Sequence, residues 1–274
     1  MDIKDFDALW TKGRETDLTV VKDLWNGRAD SYSKSSFETS RAQAKEQELE
    51  MLMEKGMLTP DSSVLDVGCG PGRYAVLLGA RAKEVLGVDI SERMLAIAAE
   101  NVKNAGLSNV SFRNLAWDEA ELEREGFEGR FDLVFASRCP GVHNYATLKK
   151  LCEASRKSCF LSTFATRTDL VRGELERRLG RVDQDRREGS VYYIFNILWL
   201  MGYRPEITYV ANNWVNTYSM EEAQNEYFAI FEPRAEDRED TRRIIREHLE
   251  EIQENGVVTE RVESKVAWIT WNVN

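Results

Sequence analysis

From Ser63 onward, short apolar runs alternate with stretches whose apolar residues recur at helical spacing. The runs Ser63–Val67, Glu84–Val88, Val110–Arg113, Phe131–Ala136 and Ser158–Phe164 read as strands. Between them, Tyr74, Leu77 and Leu78 form an apolar stripe, and Glu92–Asn104 reads as a helix with Ser91 as its N-cap. Strands alternating with helices predict a parallel sheet with helices on both faces. Beyond the fifth strand the alternation loosens. Asp169 to Arg187 reads as a charged helix, Ser190–Met201 as an apolar one, and Glu206–Val210 and Lys265–Trp271 as the final strands. Two helices are expected between those strands, Met220–Phe231 and Asp240–Glu254. The second has Ile245, Leu249 and Ile252 on one face and charge pairs such as Glu239 with Arg243 on its solvated side. Ahead of the alternation, the polar segment to Gly56 is helical in character, with Leu49, Leu52 and Met53 at helical spacing in Ser40 to Lys55. The expected architecture is α/β, doubly wound, with a mostly parallel seven-stranded sheet. A helical segment over residues 1–56 precedes a core over 57–274, whose halves are 58–164 and 165–274.

Composition narrows the partners. The 274 residues carry a formal net charge of −10 and no basic block, so the electrostatic footprint of a nucleic-acid binder is missing. The N-terminus lacks the apolar core of a secretory signal, and a cytoplasmic location is expected. The longest apolar run, Val191 to Met201, contains Asn196 and is too short to span a bilayer. Cys69, Cys139, Cys152 and Cys159 form no C-x-x-C pair, so neither a metal site nor a disulfide framework is expected.

The densest chemistry lies in Val64-Leu65-Asp66-Val67-Gly68-Cys69-Gly70-Pro71-Gly72, followed by Val85-Leu86-Gly87-Val88-Asp89. Gly68, Gly70 and Gly72 permit positive φ and a close ligand approach, and Pro71 pre-sets the entry to the next helix. An acid about twenty residues past the first glycine is placed for ribose hydroxyls. A dinucleotide loop would read G-x-G-x-x-G, but Arg73 stands at its third glycine, which argues against a nicotinamide cofactor. A glycine turn with Asp89 as a helix cap is the plain alternative; Ser91 is the better cap and leaves Asp89 for a ligand.

The string LDVGCGPGRYA followed by VLGVDIS resembles the first two motifs of class I S-adenosylmethionine-dependent methyltransferases, a Rossmann-like family. The resemblance implies S-adenosylmethionine as cofactor, S-adenosylhomocysteine as product, and direct displacement of the methyl group by an oxygen, nitrogen or sulfur. It places Gly68, Cys69, Gly70, Pro71 and Gly72 along the cofactor's methionine part, Asp89 at the ribose and Ile90 against the adenine. Asp66 would support the loop and the cofactor's amino group. Leu24 to Tyr32 is similar to the W-x-x-R-A-x-x-Y segment that precedes this core in many small-molecule methyltransferases. It implies an N-terminal lid with Trp25 and Tyr32 on its inner face, or else as plain anchors to the core.

Two strand ends complete the expected site. Leu115 stands where the family often has an acid, so Asp118, or the backbone of Ala116 and Trp117, is assigned to the adenine amino group. Trp117 either stacks on the ring or caps the core. The carboxyl end of the fourth strand should border the ligand crevice. This places Ser137 by the cofactor and Arg138 and Asn144 toward the acceptor. His143 is there as a candidate general base, or as a loop histidine bonded to backbone. The N-P-P-Y/F motif of enzymes methylating amino groups of DNA bases or glutamine is absent from this turn. The expected acceptor is a small molecule, with no nucleic acid or membrane partner and with homo-oligomerisation left open. A catalytically silent binder on the same scaffold is the alternative.

Overall fold

In the computed structural model the described residues are 1–13, 17–36, 42–180, 190–232 and 235–273. The ends of two expected helices, 40–41 and 181–187, lie outside them. Three helices lead the chain: α1 (Ile3–Thr11), α2 (Leu18–Ser36) and α3 (Ala42–Glu54). The alternating part follows as β1 (Ser63–Val67), α4 (Arg73–Gly79), β2 (Glu84–Asp89), α5 (Glu92–Asn104) and β3 (Val110–Asn114). After a 3-10 turn at Trp117–Glu119 come α6 (Leu122–Glu125), β4 (Phe131–Ser137), α7 (Tyr145–Ala154) and β5 (Ser155–Asp169). The remainder is α8 (Leu170–Arg178), α9 (Ser190–Leu200), β6 (Glu206–Ala211), β7 (Trp214–Ser219), α10 (Met220–Phe231), α11 (Arg238–Ile252) and β8 (Val257–Asn272).

The strands follow the order β3-β2-β1-β4-β5-β8-β6, seven as expected, with β7 as an eighth strand off this path, paired to β8. Pairing of β1 with β2 and β4, β2 with β3, and β4 with β5 is parallel. Every residue of β1 is buried, as expected of a strand covered on both faces.

The chain divides into two compact units. The first comprises 1–163, 189–209 and 267–274, and the second 164–188 and 210–266. In the first unit the aromatic core includes Phe135 stacked on Phe160 with centroids 4.8 Å apart, and Tyr74 tilted against Phe135. The leading helices are tied to this core by specific contacts. Phe6 of α1 meets Tyr192 of α9 edge-on, and the Ser91 hydroxyl donates to Asn26 Oδ1 of α2 at 2.7 Å. Arg93 also reaches Asp30 of α2 at 2.5 Å.

In the second unit, Val171, Leu175, Ala223, Tyr227, Phe231, Ile245, Leu249 and Val258 form one apolar cluster. Strand β7 pairs antiparallel with β8 from Trp214–Val262 to Ser219–Val257. Two expectations change here. Strand β7 was not foreseen, and β8 begins at Val257 instead of Lys265. Its first half alternates strictly between exposed and buried positions, but Glu260 and Ser264 stand among the buried ones, which hides the apolar face. Buried Glu260 is placed to accept the Val171 and Arg172 amides of α8, and burial together with nearby Asp169 raises its pKa to about 7.

Candidate functional site

Strand β1 delivers the chain into a loop that only glycine can follow. Gly68, Gly70 and Gly72 have φ of +69°, +52° and +79°. A Cβ on Gly68 would stand 2.4 Å from Cys139 Sγ, and one on Gly72 would stand 2.7 Å from Cβ of Ala98 in α5. Gly72 is thus the glycine that lets α4 and α5 approach, a task the dinucleotide motif gives to the position held here by Arg73. Gly87 of β2 is needed as well, because its Cβ would overlap Phe112 Cδ1 at 2.7 Å and Cys69 Sγ at 2.9 Å. The Gly68 and Cys69 amides donate to the Val88 carbonyl at 2.8 and 3.1 Å, and Asn101 Nδ2 donates to the Pro71 carbonyl at 2.9 Å.

Asp89, at the end of β2, closes this loop. One carboxylate oxygen accepts the Gly70 amide at 2.9 Å and the other the Ser91 amide at 2.8 Å. Burial raises its pKa, and these two bonds work in the opposite direction. Ser91 caps α5 by accepting from the Met94 amide, as read from the sequence. Asp66, at 2% exposure, has a buried Oδ2 with no hydrogen-bond partner among the described residues. Burial, reinforced by the Asp89 charge, raises its pKa to about 8. A buried carboxyl oxygen left unpaired is costly and marks a place for a donor. Ile90 is half-buried, and its carbonyl accepts from Asn114 Nδ2.

The lid residues divide. Tyr32 is 42% exposed, yet its Cε1 lies 3.9 Å from where a Gly70 Cβ would be, so its ring overlies the loop. Trp25 packs edge-on against Tyr32 at 5.5 Å, supporting that ring from within α2.

Past β3, the expected adenine contacts take mixed positions. Trp117 is buried, and its indole N–H donates to the Thr147 carbonyl at 2.9 Å, which makes it a core residue. Ala116 stands at the N-cap of the 3-10 turn, and Asp118 Oδ1 lies 3.2 Å from His143 Nε2. His143 Nδ1 faces the Pro140 carbonyl at 3.2 Å. Both ring nitrogens therefore lie beside oxygen atoms, one of the backbone and one of a carboxylate. A ring so held pins the 139–144 turn, in keeping with the loop histidine bonded to backbone that stands beside the general base as an alternative. Asn144, expected toward the acceptor, instead caps α7: its Oδ1 accepts the Thr147 amide at 2.8 Å, while Thr147 Oγ1 accepts the Asn144 amide. The N-x-x-T spacing is a capping-box variant that announces this in the sequence.

At the end of β4, Ser137 and Arg138 belong to a buried polar cluster that no local sequence signal predicts. Ser137 Oγ lies 3.0 Å from Ser162 Oγ and donates to Glu48 Oε2 at 3.3 Å. The Tyr74 hydroxyl also donates to Glu48, and Arg138 Nη2 donates to the Tyr74 oxygen at 3.3 Å. Glu48 comes from α3, ahead of the core, and is 4% exposed.

Residues 58–176 match the model of a methyltransferase domain. The 23S rRNA (uracil(1939)-C(5))-methyltransferase RlmD of Shewanella sediminis is 32% identical over 130 residues, which cover 45% of this chain and 29% of that protein. The ubiquinone biosynthesis O-methyltransferase of Acinetobacter baumannii is 32% identical over 91 residues, covering 33% of this chain and 37% of the relative. The chain thus spans about a third of the length of each of these two curated relatives. Among solved structures, magnesium protoporphyrin IX methyltransferase from Synechocystis with bound SAH superposes with a TM-score of 0.56 at 16% identity, over 92% of this chain and 99% of that one.

Proposed function

We propose that the protein, whose residues 58–176 match a methyltransferase domain on a mostly parallel sheet, binds S-adenosylmethionine and moves its methyl group to an oxygen, nitrogen or sulfur of a small organic molecule. One observation carries the reading: the glycine loop is closed on the Asp89 carboxylate beside a buried, unpaired oxygen of Asp66.

The residues present fit the cofactor. Each Asp89 oxygen accepts one amide and keeps a second lone pair for a ribose hydroxyl. Asp66 Oδ2 is buried and open to a donor, and an ammonium seated beside it would draw the carboxyl to its ionised form. The loop has no side chain at Gly68, Gly70 or Gly72 to obstruct a ligand. When bound, S-adenosylmethionine supplies a sulfonium-activated methyl group. The chain's own contribution is alignment and exclusion of water, with Tyr32 lying over Gly70 and the β4 end carrying Ser137 and Arg138. His143 holds the 139–144 turn in place and is assigned a positioning role.

A small acceptor suits the net charge of −10 and the lack of a basic block. The rRNA relative favours a second reading, RNA as the acceptor. Labelled S-adenosylmethionine incubated with the protein and fractionated cell extract separates the two. Label is expected in the small-molecule fraction; label confined to RNA or protein overturns the small-molecule assignment. Failure to release S-adenosylhomocysteine with any fraction, alongside tight cofactor binding, would leave the silent binder.

A further inference from the structure

Arg138 is held in a conformation that argues for a task. Its φ of +52° lies in the left-handed region, where a non-glycine side chain is strained. Its backbone amide nevertheless stays in register, donating to the Ser162 carbonyl at 2.9 Å. The strain sits at the carboxyl end of β4, where an α/β sheet receives ligands.

The guanidinium has five donors, and among the described residues its side-chain hydrogen bond is the one to the Tyr74 oxygen. Tyr74 is the second residue of α4, directly after the glycine loop, and its own proton goes to Glu48. Tyr32, which overlies Gly70, lies close enough to Arg138 to act on it electrostatically, as do Tyr74 and Glu48. The cation therefore sits beside the loop with most of its donors uncommitted, backed by Tyr74 and Glu48. A guanidinium of this kind matches a carboxylate, whose two oxygens accept parallel N–H bonds. Asp66, on the strand that opens the same loop, adds a buried carboxyl oxygen with no hydrogen-bond partner among the described residues.

We propose that Arg138 is the carboxylate receptor of this site, positioned by the Tyr74–Glu48 pair. The inference rests on the methyltransferase reading. Under that reading the carboxylate has two sources, the amino-acid tail of the cofactor and an acidic methyl acceptor. The tail is favoured because the first turn of α4 and the glycine loop flank the guanidinium.

Two variants test it. Glycine accepts φ of +52° without strain, so Arg138→Gly should fold at least as readily in its backbone. Arg138→Lys keeps the charge and loses the planar fork. Calorimetry with S-adenosylhomocysteine and with 5′-methylthioadenosine, which lacks the amino-acid tail, reads the cofactor source. Arg138→Gly should weaken S-adenosylhomocysteine by about ten- to a hundredfold, the range of a charge-assisted bond, and leave 5′-methylthioadenosine within about twofold. Arg138→Lys should fall between wild type and Arg138→Gly. A thermal-shift panel of simple carboxylates in saturating S-adenosylhomocysteine reads the acceptor source. If the nucleoside affinities hold and only the carboxylate shift disappears in Arg138→Gly, the acceptor supplies the anion. Equal weakening of both nucleosides indicates a general structural role and overturns the proposal. Unchanged affinities with an unchanged panel overturn it too. Should the wild type bind neither nucleoside, the methyltransferase reading fails, and the panel without nucleoside decides the status of Arg138.

Discussion

Asp89 reaches back nineteen residues to accept the Gly70 amide at 2.9 Å, so one carboxylate ties the end of β2 to the glycine loop. Its other oxygen accepts the Ser91 amide at the start of α5. Asp89→Ala removes both anchors at once. The expected result is loss of S-adenosylhomocysteine affinity by at least about a hundredfold, with an intact far-ultraviolet circular dichroism spectrum. The unpaired amides should cost about 1–2 kcal/mol of stability, a fall of a few degrees in Tm. Undiminished affinity would remove Asp89 from the site.

Gly68 makes a second demand that can be measured. Alanine there meets both the positive φ, about 1–2 kcal/mol, and the sulfur of Cys139 at 2.4 Å. Gly68→Ala should therefore lose more stability than the conformation alone explains. Combining it with Cys139→Gly removes the sulfur and should recover part of the loss in urea unfolding. Strict additivity of the two substitutions would show that the overlap is relieved elsewhere.

These positions explain why some of the site was legible in the chain and some was not. The β1 loop, β2, the Ser91 cap and Asp89 lie within a few dozen residues, and each step has a local signature: an apolar run, a positive-φ glycine, a capping hydroxyl. The helix Glu92–Asn104 was readable to its ends for that reason. Glu48 carries no such mark. Its partners Tyr74 and Ser137 are 26 and 89 residues away, and the pairing exists only once α3 lies against the core. Arg138 hides its strain behind an ordinary residue type, since nothing in Ser137-Arg138-Cys139-Pro140 demands a positive φ. Trp117 was ambiguous from sequence because an indole serves a core or a stacking surface equally well. In the structure it is buried, with its indole N–H donated to the Thr147 carbonyl. Strand β8 concealed its first half by placing Glu260 and Ser264 at buried positions.

His143 and Asp118 join the 139–144 turn to the 3-10 turn through a contact of 3.2 Å. If the ring acts by positioning, the two residues should be coupled energetically and remote from cofactor affinity. A double-mutant cycle of His143→Ala and Asp118→Asn should return a coupling of about 1 kcal/mol in urea unfolding. S-adenosylhomocysteine affinity in His143→Ala should stay within about threefold of wild type. Absence of coupling, together with unaltered stability in both single variants, would overturn the positioning role and favour the general base.

Asp66 gives the site a dependence on pH whose sign follows from its burial. Its pKa in the folded chain is about 8, against an ordinary value of 3.8, because burial and the Asp89 charge both disfavour the carboxylate. Below the ordinary value, folded and unfolded chains both hold the proton. Between it and about 8, the folded chain keeps a proton that the unfolded chain has released, so stability falls as pH rises. The loss is complete above the folded pKa. Asp66→Asn does not titrate and escapes this term. Its Tm relative to wild type should therefore climb across that window and level off above it. The same proton bears on ligand capture. At pH 7 the Asp66 carboxyl is protonated, and seating an ammonium beside it drives ionisation. S-adenosylhomocysteine binding should then release a proton from Asp66, read as a dependence of the calorimetric enthalpy on the ionisation heat of the buffer. That release should vanish in Asp66→Asn. A Tm difference that stays flat with pH would show that Asp66 is ionised in the ligand-free fold, and a buffer-independent enthalpy in wild type would deny it the ammonium.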